Sequence, residues 1–151
     1  MHNLAALLEK GVADASARGY APEVLIEARL APDMHKLSRQ VQIASDMVKN
    51  GAARLAGISA PSFPDTETSF PELQARIAKT VTFLETIDEA ALKGADTREI
   101  VLKFPGMEMQ FSGAGYLTGF VLPNLFFHVT TAYNILRHNG VAIGKRDYMG
   151  A

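Results

Sequence analysis

Two polar residues one helical turn apart, Asn124 and His128, stand in an otherwise apolar stretch that runs from Gly115 to Gly144. Side chains at i and i+4 of a helix converge on one point, and this is how paired imidazoles hold a metal ion. Here only one of the pair is imidazole, and an Asn amide is a poor ligand for zinc or nickel, so the pair disfavours a divalent metal. Thr131 continues the same stripe, which reads Leu117, Val121, Asn124, His128, Thr131, Ile135 and His138 at alternating spacings of 4 and 3. Three polar side chains inside an apolar helix need partners. They form either a ligand pocket or a hydrogen-bonded polar layer that fixes helix register. A second polar stripe, His35, Arg39, Gln42 and Asp46, recurs at 4, 3, 4, and on spacing alone it reads as a solvated helix face. Other catalytic signatures are missing: there is no Gly-rich phosphate loop and no Gly-x-Ser-x-Gly elbow. With no cysteine, thiolate zinc sites, disulfides and a cysteine nucleophile are excluded.

The elements that must position these residues follow from periodicity. Leu4, Leu7, Leu8, Gly11, Val12 and Ala15 predict a first helix over residues 3–18. Ala21-Pro22-Glu23 opens a short connecting helix through Arg29, Pro32 ends it, and Asp33 is the expected cap of a second main helix over 34–56. Pro61 and Pro64 mark a loop up to Thr68. Ser69-Phe70-Pro71-Glu72 has the form of a capping box with Pro in the first turn. It starts a third helix whose seam is Leu73, Ile77, Val81, Leu84 and Ile87, and whose end falls within 88–93. Alternation in Ile100, Leu102, Phe104 and again in Met107, Met109, Phe111, about a Pro105-Gly106 turn, predicts a β-hairpin laid across the end of the bundle. The last helix is expected from Gly115 to Asn139-Gly140, with a kink at Pro123 that frees the carbonyl near Gly119. Residues 141–151 read as a tail carrying the solvated pair Lys145-Arg146.

A length of 151 residues, with 48% hydrophobic side chains, suits one domain with one core. Fifteen basic residues against sixteen acidic ones leave no electrostatic footprint for nucleic acid or anionic membrane. Neither a transmembrane run nor a signal peptide is recognisable, and the expected compartment is the cytoplasm. Leu122, Leu125, Phe126, Phe127, Val129, Tyr133 and Leu136 cover most of the remaining surface of the last helix. One partner helix cannot cover all of them, which predicts a symmetric homodimer.

Several segments, taken in order, carry a resemblance that spans nearly the whole chain: Arg29-Leu30-Ala31-Pro32-Asp33-Met34, Gln40-Val41-Gln42-Ile43-Ala44, Pro64-Asp65-Thr66-Glu67-Thr68, Phe127-His128-Val129-Thr130-Thr131-Ala132-Tyr133 and Asn139-Gly140-Val141 to Gly144-Lys145. The chain resembles the bacterial domain-of-unknown-function family nineteen-ninety-three, within the DinB-like, YfiT-like superfamily of metalloenzymes. Members of that family carry further residues before the first helix, so this N-terminus is expected to be short. The resemblance implies an all-α, up-down-down-up four-helix bundle, commonly dimeric. It also implies a metal held by one His on the second helix and a His-x-x-x-His pair on the last, in members that include thiol-dependent transferases. Twelve residues before Gly140, His128 falls at the second His of that pair and Asn124 at the first, while Gln42 falls at the His of the second helix. Only one of three ligand positions is therefore His, and Gln42 is expected to turn inward. Two functions follow from the resemblance. One is a thiol-transferase-like enzyme using Gln42, Asp46, Asn124, His128 and Thr131, with His128 as base or sole strong ligand. The other is a non-catalytic dimer, small-molecule-binding or stress-associated, whose metal site has become a polar layer. For a metal-free His128 flanked by the neutral amides of Asn124 and Gln42, burial predicts a lowered pKa unless Asp46 comes within reach.

Overall fold

A computed structural model describes residues 1–151. The chain is mostly helical, with one two-stranded hairpin. Its elements are α1 (His2–Arg18), α2 (Glu23–Glu27), α3 (Leu37–Ala56), α4 (Phe70–Glu85), β1 (Glu99–Phe104), β2 (Met107–Ser112), α5 (Gly113–Tyr116), α6 (Leu122–His138) and α7 (Lys145–Met149). No helix is long and apolar enough to cross a membrane. The apolar stripes of the long helices meet in a core that includes Leu7 and Leu8 of α1, Leu37, Val41 and Ala44 of α3, Leu73 and Ile77 of α4, and Ile135 and Leu136 of α6.

The start of α4 follows the capping-box expectation. Ser69 accepts from the Glu72 N–H, and Glu72 in turn accepts from the backbone N–H groups of Thr68 and Ser69. The start of α3 differs from expectation: it begins at Leu37, with Lys36 before it and no side-chain cap. Residues 28–36 fold back instead of coiling, because the Leu37 N–H bonds to the Ala28 carbonyl at 2.9 Å and Gln40 Nε2 to that of His35 at 2.9 Å. The Leu37 bond pairs one of the N–H groups left open at the helix entry, and Asp33 plays no capping part. The tail also differs, since α7 returns against α1 through Asn3 Nδ2, which donates to the Tyr148 carbonyl at 3.0 Å, and through a Lys10–Asp147 ion pair.

The last helix starts earlier than expected and carries a widened turn just before Pro123. From Gly113 it runs through α5, a π-helical turn at Leu117–Val121, and α6 without leaving helical geometry. In the wide turn the Leu122 N–H bonds to the Leu117 carbonyl, five residues back. Pro123 thus enters in the first turn of α6, where its missing N–H is least costly. Opposite this turn, a Cβ at Gly51 would lie 2.8 Å from Val121 Cγ1. Only Gly lets α3 approach so closely there.

The hairpin pairs Ile100 with Phe111, Leu102 with Met109 and Phe104 with Met107. Its inner face rests on Leu55, Tyr116 and Val121, making a second, smaller core beside the wide turn.

Candidate functional site

On α3, Gln40 and Gln42 lie two residues apart and therefore about 200° around the axis. They serve different neighbours. Gln40 faces α6, where its Oε1 lies 2.7 Å from His128 Nδ1. Its Nε2 already donates to His35, so the amide orientation is set and Oε1 must accept. His128 is consequently the Nδ1–H tautomer, with the lone pair on Nε2. Burial lowers its pKa first, and the positive charge of His35 and then Arg39 lowers it further. The direction is the expected one, although the amide beside His128 is Gln40 rather than Gln42. Asp46 is not among the groups that shift it.

Gln42 does turn inward, at 5% exposure, but toward α4 and the preceding loop. Its Nε2 donates to Glu67 Oε2 at 2.9 Å, and its Oε1 accepts from Arg39 Nη1 at 3.3 Å. Next to it, Arg76 of α4 is 2% exposed and draws in three carboxylates. Its Nη1 donates to Glu67 Oε1 at 3.0 Å and to the Pro64 carbonyl at 3.2 Å. Its Nη2 lies 3.0 Å from both Asp46 Oδ1 and Asp65 Oδ1, as ion pairs off the directions of a hydrogen bond. Lys49 lies 2.9 Å from Asp46 Oδ1 and 4.1 Å over the Phe63 ring, and Arg39 closes the group through Asp65. The stripe Arg39, Gln42, Asp46 is thus one wall of a charge network centred on the buried Arg76 and Lys49, with Arg39, Asp65 and Asp46 about one-third exposed, while His35 of the same stripe stays on the surface. In this network three cations meet three anions.

The other two residues expected at the site, Asn124 and Thr131, bond within their own helix. Asn124 Nδ2 donates to the Phe120 carbonyl and Thr131 Oγ1 to that of Phe127, each at 2.7 Å. The five residues expected at one site therefore divide into Gln42 and Asp46 in the charge network, Asn124 and Thr131 turned back on α6, and His128 on Gln40.

This donor set does not fit a divalent metal. Gln42 Oε1 accepts from Arg39, only one imidazole stands among the three positions, and the three carboxylates that do converge, Asp46, Asp65 and Glu67, are taken up by Arg76. Spacing alone missed Gln40 and Arg76, yet a signal for each exists. Gln40 falls between Leu37 and Ala44 on the buried stripe of α3, and Arg76 between Leu73 and Thr80 on that of α4. A polar residue inside an apolar stripe calls for a buried partner.

The family model for a domain of unknown function, DUF1993, matches residues 1–149. A crystal structure of a DinB family member protein from Shewanella denitrificans is similar, with a TM-score of 0.92 and 44% identity over 99% of this chain and 85% of that one. No curated protein matches.

Proposed function

The chain belongs to the DUF1993 family, and from that premise we propose that it is a cytoplasmic, homodimeric, non-catalytic small-molecule-binding protein on an up-down-down-up four-helix bundle. The observation that carries the reading is the bond between His128 Nδ1 and Gln40 Oε1, made where the companion positions Gln42 and Asn124 offer amides turned elsewhere. A single imidazole with cationic neighbours is a weak site for a cation. The absence of cysteine fits a reducing compartment. Support for the bundle order comes from two pairs. Gln40 meets His128 while Gly51 meets Val121, so α3 and α6 run antiparallel. Gln74 bonds to Ala5 while Phe70 touches Gly11, so α1 and α4 do too. Support for the dimer is the uncovered apolar face of α6, with Phe126 and Phe127 at 54% and 57% exposure.

One observation favours the second reading, a thiol-dependent transferase with His128 as base or strong ligand. The Nδ1–H bond leaves Nε2 with its lone pair, the arrangement a base or ligand imidazole needs. Equilibration with zinc or nickel, followed by elemental analysis of wild type and His128→Ala, separates the two. We expect no stoichiometric metal in either protein. One equivalent per chain, lost in His128→Ala, would overturn the binding-protein reading in favour of the enzyme.

A further inference from the structure

Between α3, the hairpin and the wide turn of the last helix lies a cleft of about 250 Å³, formed apart from the His128–Gln40 pair. Its apolar wall is aromatic. Tyr116, just before the wide turn, and Phe120, within it, stack at 5.7 Å with 15° between their planes, while Leu102 and Phe104 of β1 and Met47 of α3 complete the wall. Tyr116 is fully buried and packed on Phe111 at 5.8 Å, so it holds Phe120 in place from within the core. Phe120 belongs to the helical widening itself, and a π turn of this kind often accompanies a binding site.

The polar rim is asymmetric. Of the charged side chains lining the cleft, Asp46 is matched by Arg76 and Lys49, and Arg39 is paired with Asp65. Arg54 makes no ion pair. Its Nη1 donates to the Tyr116 hydroxyl at 3.1 Å, a contact that fixes the guanidinium at the edge of the aromatic wall and leaves most of its five donors unengaged. A planar, always-charged fork held beside an apolar slot is matched by a carboxylate with an apolar body.

We propose that this cleft binds a small amphipathic monocarboxylate, its single ring or short chain against Phe120, Phe104 and Met47 and its carboxylate on Arg54. The assignment rests on the binding-protein reading above and adds to it the place and the ligand class. The volume is just below the range of about 300–1,000 Å³ typical of drug-sized ligands, which keeps the occupant small.

The test uses 3-phenylpropionate, 3-phenylpropan-1-ol and 3-phenylpropylamine, titrated into the full chain and followed by backbone amide and Arg54 Nε–H chemical shifts. The acid should give saturable shifts confined to residues about 50–54, 102–104 and 116–120, and should bind about tenfold or more tighter than the alcohol and the amine. Arg54→Gln, checked by its unliganded spectrum for an unchanged fold, should remove that preference while leaving the alcohol's affinity unaltered. Arg54→Lys should fall between. Equal affinity for acid and alcohol, or an acid affinity unmoved in Arg54→Gln, would overturn the carboxylate assignment, and no saturable shift with any of the three would overturn the cleft. Zinc uptake at His128 would instead overturn the parent reading, whatever the acid does.

Discussion

Arg76 Nη2 lies 3.0 Å from Asp46 Oδ1, and this contact joins α4 to α3 through a guanidinium almost wholly removed from solvent. The same side chain holds the loop of residues 57–69 through Pro64, Asp65 and Glu67. Arg76 thus ties the loop to both helices, although the loop has no regular structure of its own.

Arg76→Met should be strongly destabilising. It leaves Asp46, Asp65 and Glu67 facing one another with only Lys49 and Arg39 in compensation, and removing one partner of a buried charge group costs about 3–5 kcal/mol. Asp46 is about one-third exposed, so Asp46→Asn should cost markedly less. Urea unfolding monitored by circular dichroism measures both, and a cost for Arg76→Met similar to that of Asp46→Asn would show that the cluster does not hold the loop.

Much of this arrangement can be read from residue spacing. The Ser69–Glu72 capping box and the Ile100/Leu102 against Met109/Phe111 alternation depend on neighbours in the chain, and they are found where spacing puts them. Helical periodicity also places Arg39, Gln42 and Asp46 on one face. It cannot say which neighbour that face meets, so Gln42 was expected toward α6 and is found against Glu67. The wide turn at Leu117–Val121 was equally hidden, since one additional residue in a turn changes no residue type. Only Pro123, as a residue needing an unbonded nitrogen, hinted that the ladder must adjust nearby.

Gly113 is where the hairpin joins the last helix. A Cβ there would lie 1.6 Å from the Ala95 carbonyl oxygen and 2.8 Å from its carbon. Because both are backbone atoms, no rotamer change relieves the clash. Gly113→Ala should lower stability by about 1–3 kcal/mol as an overpacking substitution. It should also loosen the hairpin, seen as faster hydrogen exchange at Ile100 and Leu102 than at Leu37 or Val41. Uniform loss of protection across both cores would contradict a local effect.

The uncovered face of α6 predicts the behaviour of one charged substitution. If two copies meet through Phe126 and Phe127, Phe127→Glu places like charges at a two-fold contact and should convert the dimer to monomer without loss of helix content. Multi-angle light scattering at micromolar concentration decides. A monomeric wild type would remove the dimer outright, and a Phe127→Glu dimer would move the interface elsewhere.

His128 sets the last prediction through pH. Its folded pKa is depressed by burial and by the positive charge of His35 and Arg39, while the unfolded chain should titrate near 6.5. The neutral ring is therefore favoured in the folded state. Its contribution to stability is fully present above about pH 6.5 and declines as pH falls from there through the lower folded pKa, because the unfolded chain takes up the proton first. Below the folded pKa the contribution is gone. Replacing the ring by an amide, His128→Gln, removes the titration and should flatten this part of the stability profile between pH 7 and pH 5, whatever its effect at neutral pH. Ring chemical shifts against pH give the folded pKa directly. A value above that of an unfolded His would mean that His128 is held as imidazolium, which the Nδ1–H bond to Gln40 would permit but the neighbouring Arg39 and His35 oppose.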